Sequence, residues 1–373
     1  MNTDTITAHG PLTISRVAHA AELPADWDAL LGPEDALLSR RWLDVVEGVA
    51  GVPMRYLMLR RGDTLLAAVA TARADAATRW GPTARPHTLL ERQAAAGEPG
   101  ATELLAELLA EPPAPAEALL PALIAGGRHV GTTRILHHPR AGEAELVALV
   151  AEIEAIAVEL EAGCAAFLFV DEQDALLRTV LADRGYRSFR SGRYSRLPVP
   201  GDGFAGLLAT LPRKRQVSVK AERRRVAEHR MSIDLAPLDV REIDELAFLE
   251  CQLTDKYGVA LEPGQAAAKL HEIHRLYGDD ALVLTARTGS TIRGFALLVG
   301  HQDRWYARHC GFDYAYQREH KLALYFELLF YRLVEEAAAR GVRAVHYGLG
   351  SEQAKASRGA VATDQHCFLR RLS

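Results

Sequence analysis

Residues 305–358 read WYARHCGFDYAYQREHKLALYFELLFYRLVEEAAARGVRAVHYGLGSEQAKASR, and the rest of the chain reads as support for them. An aromatic strand carrying Arg308 leads through a polar loop into a long apolar helix. A short strand over 345–349 follows. It ends in the turn Gly348, Leu349, Gly350, Ser351, which delivers Lys355 and Arg358.

The helix is the informative part. At about 100° per residue, Arg332, Glu335 and Glu336 share one face, and Glu327 lies about 140° from Arg332. That places Glu327 among Leu324, Phe330, Tyr331 and Val334, on the side expected to be covered. Burial disfavours a charged carboxylate and raises its pKa unless a cation or donor meets it. A carboxyl pushed toward neutrality suits general acid–base work. The same pattern also fits a structural carboxylate tied to an arginine such as Arg308, or to backbone N–H groups. Ahead of the helix, Arg318, His320 and Lys321 are expected to crowd its N-terminus, where the dipole disfavours cations. A bound anion would reconcile them with that position, and so would side chains pointing into water.

Working outward, 373 residues suffice for two domains of ordinary size, and 49% hydrophobic with 25% charged residues is a globular composition. A formal net charge of −4 excludes a general polyanion trap, so any nucleic-acid contact must come from a local patch. Cys164, Cys251, Cys310 and Cys367 are far apart, which suggests neither a zinc knuckle nor a disulfide framework. His271 and His274, three apart on a helix, lack a third ligand nearby, and no metal is expected. The start MNTDTITAHGPL has no basic and apolar signal pattern, and no run of 18 apolar residues occurs. The expectation is a cytoplasmic protein without a membrane span. Neither a P-loop nor GxGxxG is present, which disfavours ATP- or NAD-dependent chemistry.

In the first half, strands are expected over 12–17, 54–59, 64–71, 134–137, 167–170 and 186–197, and helices over 143–161 and 174–183. Arg60, Arg61, Gly62 and Asp63 form a hairpin turn. Residues 91–117, rich in Ala and Glu with Pro112, Pro113 and Pro115, read as a helix and then a surface loop. The run from Pro198 to Gly203 marks a domain boundary, dividing the chain into 1–200 and 201–373. Directly after it comes a solvated basic helix with Arg213, Lys214, Arg215, Lys220, Arg223, Arg224, Arg225 and Arg230. Lys214, Arg215, Arg223 and Arg224 are candidates for docking phosphates or tRNA. An ordinary solvated helix face explains the run equally simply. Further on, a strand (231–237), two helices (242–257, 264–277) and a hairpin (281–287, 292–300) repeat the order of the first half, as a duplicated unit would.

These residues resemble a known family. Leu211 to Arg215 with Glu222, Arg223 and Arg224, then Trp305, Tyr306, Arg308 and Gly311, then Leu324, Glu327, Phe330 and Tyr331, then Gly348, Gly350, Glu352, Lys355, Arg358, Gly359 and His366, are similar in order to the FemAB-like N-acyltransferases of the GNAT superfamily. The resemblance covers about 204–370. In the first half only the overall pattern and the region of Ser39 to Trp42 share it. Tyr325 stands where the family usually has a histidine before Phe-Glu, and the aromatic positions near Cys310 differ.

The resemblance implies an α/β (α+β) chain of two tandem GNAT-like domains, each a mixed sheet flanked by helices. It implies a degenerate first domain, serving structure or the acceptor, and acyl transfer in the second. The donor would be acyl-CoA or aminoacyl-tRNA, with no tightly bound cofactor. The acceptor would be an amine of a small molecule or a cell-wall or natural-product precursor. A coenzyme A loop is poorly matched. Arg308 to Asp313 lies too early and places a carboxylate where phosphate would go, and Arg128 to Thr133 leads into a strand. Charged tRNA is then a credible donor, with the basic helix as its dock, although the long helical arm of Fem ligases is missing.

Acyl transfer to an amine needs a base, a polarised carbonyl and a proton for the leaving group. Glu327 or His366 is the expected base and Tyr306 the expected acid. Arg308, Lys321, Gly348, Gly350, Ser351, Lys355 and Arg358 are expected to hold the donor, the glycine turn offering N–H groups to an anion. The rival reading is a non-catalytic GNAT-like module that binds tRNA or a precursor.

Overall fold

The computed structural model describes residues 10–50, 52–76, 85–110, 118–126, 132–256, 258 and 260–372. The chain forms two compact units, residues 1–192 with 364–373, and residues 193–363. The division thus falls inside one strand, a few residues before the expected boundary at 200/201. The chain's last strand belongs to the first unit, which the linear division into 1–200 and 201–373 does not provide for.

The first unit contains strands β1 (Leu12–Val17), β2 (Met54–Arg61), β3 (Thr64–Ala74), β4 (Ala122–Ala125), β5 (Leu136–His137) and β6 (Cys164–Asp171). Its helices are α1 (Arg40–Ala50), α2 (Pro86–Ala95), α3 (Pro99–Leu109), α4 (Glu143–Glu159) and α5 (Ala175–Asp183). The hairpin turn is where the sequence places it, with Gly62 at a φ of 57°. β1 through β4 pair antiparallel, β4 runs parallel to β6, and β6 pairs with the C-terminal strand (Val361–Arg371). Helix α4 lays Leu146, Leu149, Val150, Ile153 and Ile156 onto Leu57, Val69, Leu123 and Phe167 of the sheet. Burial of such aliphatic side chains contributes about 1.5–3 kcal/mol each.

The second unit repeats that plan. Its strands are β7 (Arg187–Pro198, from residue 193), β8 (Ser232–Pro237), β9 (Ala281–Thr288), β10 (Thr291–His301), β11 (Arg304–Phe312) and β12 (Ala344–Gly348); the C-terminal strand is β13. Helices are α6 (Phe204–Thr210), α7 (Arg213–Glu228), α8 (Ile243–Lys256), α9 (Pro263–Tyr277), α10 (Tyr314–His320), α11 (324–339) and α12 (Glu352–Ala356). β8 through β11 pair antiparallel, β11 runs parallel to β12, and β12 pairs antiparallel with β7. In each unit one parallel pair therefore sits between antiparallel neighbours, joined by a crossover helix. The duplication expected from the sequence is present as topology.

Residues 86–109 form two helices, α2 and α3, where one helix and then a loop were expected, and two further departures lie in the second unit. Residues 314–320 are helical rather than loop because the Asp313 side chain accepts the Tyr316 N–H at 2.9 Å and caps a helix there. The long helix α11 is not uniform: Leu324–Phe326 is α-helical, Glu327–Tyr331 forms a π-segment, and Arg332–Ala339 resumes the α-helix. A π-segment inserts an extra residue in the turn and recurs at functional sites.

Candidate active site

In the second unit the parallel pair β11/β12 is matched only over Arg304–Ala344, Trp305–Val345 and Tyr306–His346. Beyond that rung β11 runs on to Phe312 and the chain after β12 turns away at Gly348, so the strands fork. The fork of a parallel pair, beyond the strands' C-terminal ends, is where α/β sheets bind ligands. On the other edge of β11, Leu297 faces His309 while Leu298 faces Ala307, which leaves Arg308 as a bulge residue. Bulges re-aim side chains beside active sites.

Three aromatic rings and an arginine gather at this fork. Tyr306 stacks on His346 with centroids 4.3 Å apart, and Tyr194 lies 5.7 Å from the same imidazole. Tyr306 and His346 are both buried. The Arg308 residue is partly exposed, but its charged end is desolvated, which pushes its pKa down; the hydroxyls of Tyr194, Tyr277 and Tyr306 oppose that shift. A guanidinium stays cationic under such strain, so Arg308 is a fixed positive charge with little competing water.

The cations of the glycine turn lie elsewhere than the sequence suggested. Lys355 is buried and its ammonium donates to the carbonyls of Tyr347, Gly348 and Leu349 at 3.0, 3.0 and 2.9 Å. Burial lowers its pKa to about 8. The turn is therefore a carbonyl cradle for a cation. Gly348, Gly350 and Ser351 adopt positive φ, and the turn's carbonyls converge on Lys355. Arg358 is equally committed. It donates to both oxygens of Glu222 at 2.9 Å, to the Tyr331 hydroxyl at 2.5 Å and to the Ser357 hydroxyl at 2.7 Å, and it covers the Phe326 ring. Tyr331 in turn donates to Glu222. The Lys355 ammonium is thus committed to the carbonyls at the end of β12, and the Arg358 guanidinium to Glu222, Tyr331 and Ser357 in the helix layer.

Glu327 is buried, as its helical position predicts. Its partner is not Arg308 but Arg223 of α7, 3.2 Å from Oε1, and Arg223 also clasps Glu335 at 2.6 and 3.0 Å. The second oxygen, Oε2, is buried without a hydrogen-bond partner. Burial raises the pKa of this carboxyl, with Arg223 opposing. Helix α11 packs with Ala296, Leu298 and Ala307, whereas Tyr306 and His309 pair with Val299 and Leu297 and point to the opposite face of the sheet. The structure therefore does not bring Glu327 and Tyr306 to one point. His366 lies on β13 in the first unit, where burial and the charge of Arg178 lower its pKa.

Arg318 and His320 occupy the last turn of α10, and Lys321 is its left-handed cap residue. These cations sit at a helix C-terminus, where the dipole favours them, so no anion is needed to explain them. Of the basic helix, Lys214 and Arg224 are exposed, Arg215 is partly so, and Arg223 is turned inward to the two glutamates. Among the described residues no group of three His, Cys, Asp or Glu is placed to hold a metal. His274 Nδ1 lies 3.1 Å from the Leu238 carbonyl. No helix among them is long and apolar enough to cross a membrane. The weaker coenzyme A loop match at 128–133 lies largely outside the described residues.

One pair escaped the sequence reading. His309, next to the bulge, has Nδ1 2.9 Å from Oε1 of Glu250 on α8. The two residues are 59 positions apart, and nothing local in the sequence joins them.

A fork-bearing mixed sheet, built twice in one chain, defines a tandem GNAT-type fold. The chain belongs to the FemAB-like family, described by peptidoglycan biosynthesis/recognition, whose model matches residues 129–371. The crystal structure of FemX has a similar fold, with a TM-score of 0.61 at 10% identity, covering 93% of this chain and 95% of that one. A tandem GNAT protein from the clavulanic acid biosynthesis pathway matches with a TM-score of 0.52 at 14% identity, over 97% and 98% of the two chains. No curated protein matches in sequence.

Proposed function

We propose that the chain is an N-acyltransferase that moves an acyl or aminoacyl group from an activated donor to the amine of a peptidoglycan-type precursor. The observation that carries this reading is the fork of β11 and β12, lined by Tyr306, His346 and the desolvated Arg308. A donor carbonyl lying in the fork develops negative charge as the amine attacks, and a preorganised cation stabilises that charge more than water does. Arg308 takes this role, and Tyr306 supplies a hydroxyl for the departing oxygen or sulfur. Glu327 fits the base less well, because Arg223 holds one oxygen and the carboxyl sits in the helix layer over the other face of the sheet. Its reading is the structural carboxylate of the crossover helix.

Both donor classes remain in the proposal. The outward cations Lys214, Arg215 and Arg224 favour aminoacyl-tRNA, since a cation cluster docks a phosphate backbone. The test offers the purified protein short and long coenzyme A thioesters and bulk aminoacyl-tRNA, with a peptidoglycan precursor bearing a free amine, and detects the amide by mass spectrometry. The expected result is amide from one donor class, with kcat/KM lowered about 100-fold by Arg308→Ala. If no donor turns over while tRNA is retarded in a gel, the non-catalytic binding module replaces this reading.

A further inference from the structure

We propose that His309, oriented by Glu250, is the general base that takes the proton from the acceptor ammonium. The inference rests on the acyl-transfer reading and names a residue for the same fork. Its geometry is that of a base with an orienter. The imidazole Nδ1 donates to Glu250 Oε1 at 2.9 Å, which fixes the ring and leaves Nε2 as the acceptor nitrogen. The pair is mostly buried, with 14% of the histidine and 10% of the glutamate side chain exposed, so the orientation is not averaged by water. His309 follows the bulge residue Arg308 and shares a sheet face with Tyr306, the face on which α8 packs.

Gly311 makes this approach possible. A Cβ there would lie 2.3 Å from the Leu249 carbonyl carbon and 2.4 Å from the Glu250 nitrogen. Only a glycine lets β11 come close enough to α8 for the two side chains to meet. Glu250 is also incompletely satisfied, its Oε2 buried without a partner. Burial opposes its charge, but His309 prevails and holds the carboxyl below its usual range. Lys269 from α9 is the other charged group that acts on Glu250, and the Cys251 and Cys310 thiols feel its charge.

The step balances without a co-reactant. Nε2 takes one proton from the ammonium, and the freed nitrogen lone pair attacks the donor carbonyl to form the C–N bond. The tetrahedral adduct breaks its C–O bond to the tRNA ribose, or its C–S bond to coenzyme A. The Tyr306 hydroxyl gives its proton to that oxygen or sulfur and takes the second nitrogen proton in exchange, and imidazolium returns its own to solvent.

The experiment measures pH–rate profiles of wild type, His309→Ala and Glu250→Gln with whichever donor supports turnover, alongside thermal melting. His309→Ala should lose 100-fold or more in kcat with the donor KM unchanged, and imidazole in the buffer should restore part of it. Glu250→Gln should lose about 10-fold in kcat with the donor KM unchanged, because the ring is then no longer held in one tautomer and orientation. Should His309→Ala not fold, Glu250→Gln decides: a folded Glu250→Gln that keeps full turnover overturns the assignment. A folded His309→Ala that keeps full turnover overturns it as well, while the transferase reading survives. Wild type inactive with every donor removes both, and the nitrogen NMR of His309, still showing Nδ1–H bound to Glu250, would then mark a structural pair.

Discussion

The two parallel pairs of this chain are built alike and finished differently. In the second unit β11 and β12 part after Tyr306 and His346, and the fork is lined by rings and a cation. In the first unit β4 and β6 are matched from Ala122–Cys164 to Ala125–Phe167, and a further piece of chain then closes the gap. Thr133 bridges to Val170, its N–H donates to the Phe169 carbonyl at 2.9 Å, and its hydroxyl accepts the Phe169 N–H at 3.1 Å. Just beyond, Leu136–His137 joins β3. Gly126, at a φ of 82°, makes the sharp departure, and a Cβ there would meet Thr133. One topology thus yields an open fork in one unit and a stitched one in the other.

The largest expected effect comes from the buried network of Arg358 in the second unit, for which the first unit shows no counterpart among the ion pairs described above. Arg358→Ala leaves Glu222 and Tyr331 without their buried cation, and breaking such a pair costs about 3–5 kcal/mol. The variant should melt several degrees lower in calorimetry. A melting point within a degree of wild type would mean that the second unit does not depend on this network. Next in size is the pair Arg308→Ala and Thr133→Ala, read side by side. The first should lower kcat/KM about 100-fold, roughly 2.7 kcal/mol of transition-state binding, with little change in melting. The second should cost about 1–2 kcal/mol of stability, because a buried N–H loses its acceptor, and leave turnover alone. If Thr133→Ala impaired turnover as much as Arg308→Ala, the two forks would not differ in function as they do in structure.

Much of this fold was legible because alternation marks half-buried strands and the 3.6-residue period marks α4. Elements without that contrast were not. β4 is a four-residue, mostly alanine and leucine run whose burial on every residue erases alternation. β13 carries Asp364, Gln365, His366, Arg370 and Arg371 among its apolar residues and does not read as a strand. In the site, the residue types were legible and their partners were not. Lys355 and Arg358 were seen as cations near a glycine turn, but what saturates Arg358 is Glu222, 136 residues earlier. The π-segment is invisible to a reading that assumes 100° per residue, and it begins at Glu327 itself.

The smallest expected effect separates the two crossover helices, each of which carries one buried glutamate in its early turns. Glu145 of α4 is fully met: its Oε2 accepts the Gly142 N–H at 2.8 Å, and its Oε1 lies 2.7 Å from Arg61. Those partners, the Gly142 N–H first, hold its pKa below the usual range. Its contribution is therefore present above the ordinary glutamate pKa and lost as pH falls through the lowered folded value. Glu327 has the opposite sign. Burial raises its folded pKa, so its contribution is present below the ordinary value and lost as pH rises through the raised one. Glu145→Gln should accordingly cost about 1 kcal/mol at neutral pH, a difference that closes on acidification. Glu327→Gln keeps an acceptor for Arg223 and removes a charge that burial penalises. It should be neutral or stabilising by up to about 1 kcal/mol at neutral pH, the gap again closing as the native carboxyl takes its proton. Urea unfolding of both variants at about pH 4 and about pH 7 reads the signs directly. A Glu327→Gln variant weakened by several kcal/mol at neutral pH would show that Arg223 needs the full carboxylate, and the two helices would then be held by the same kind of bond.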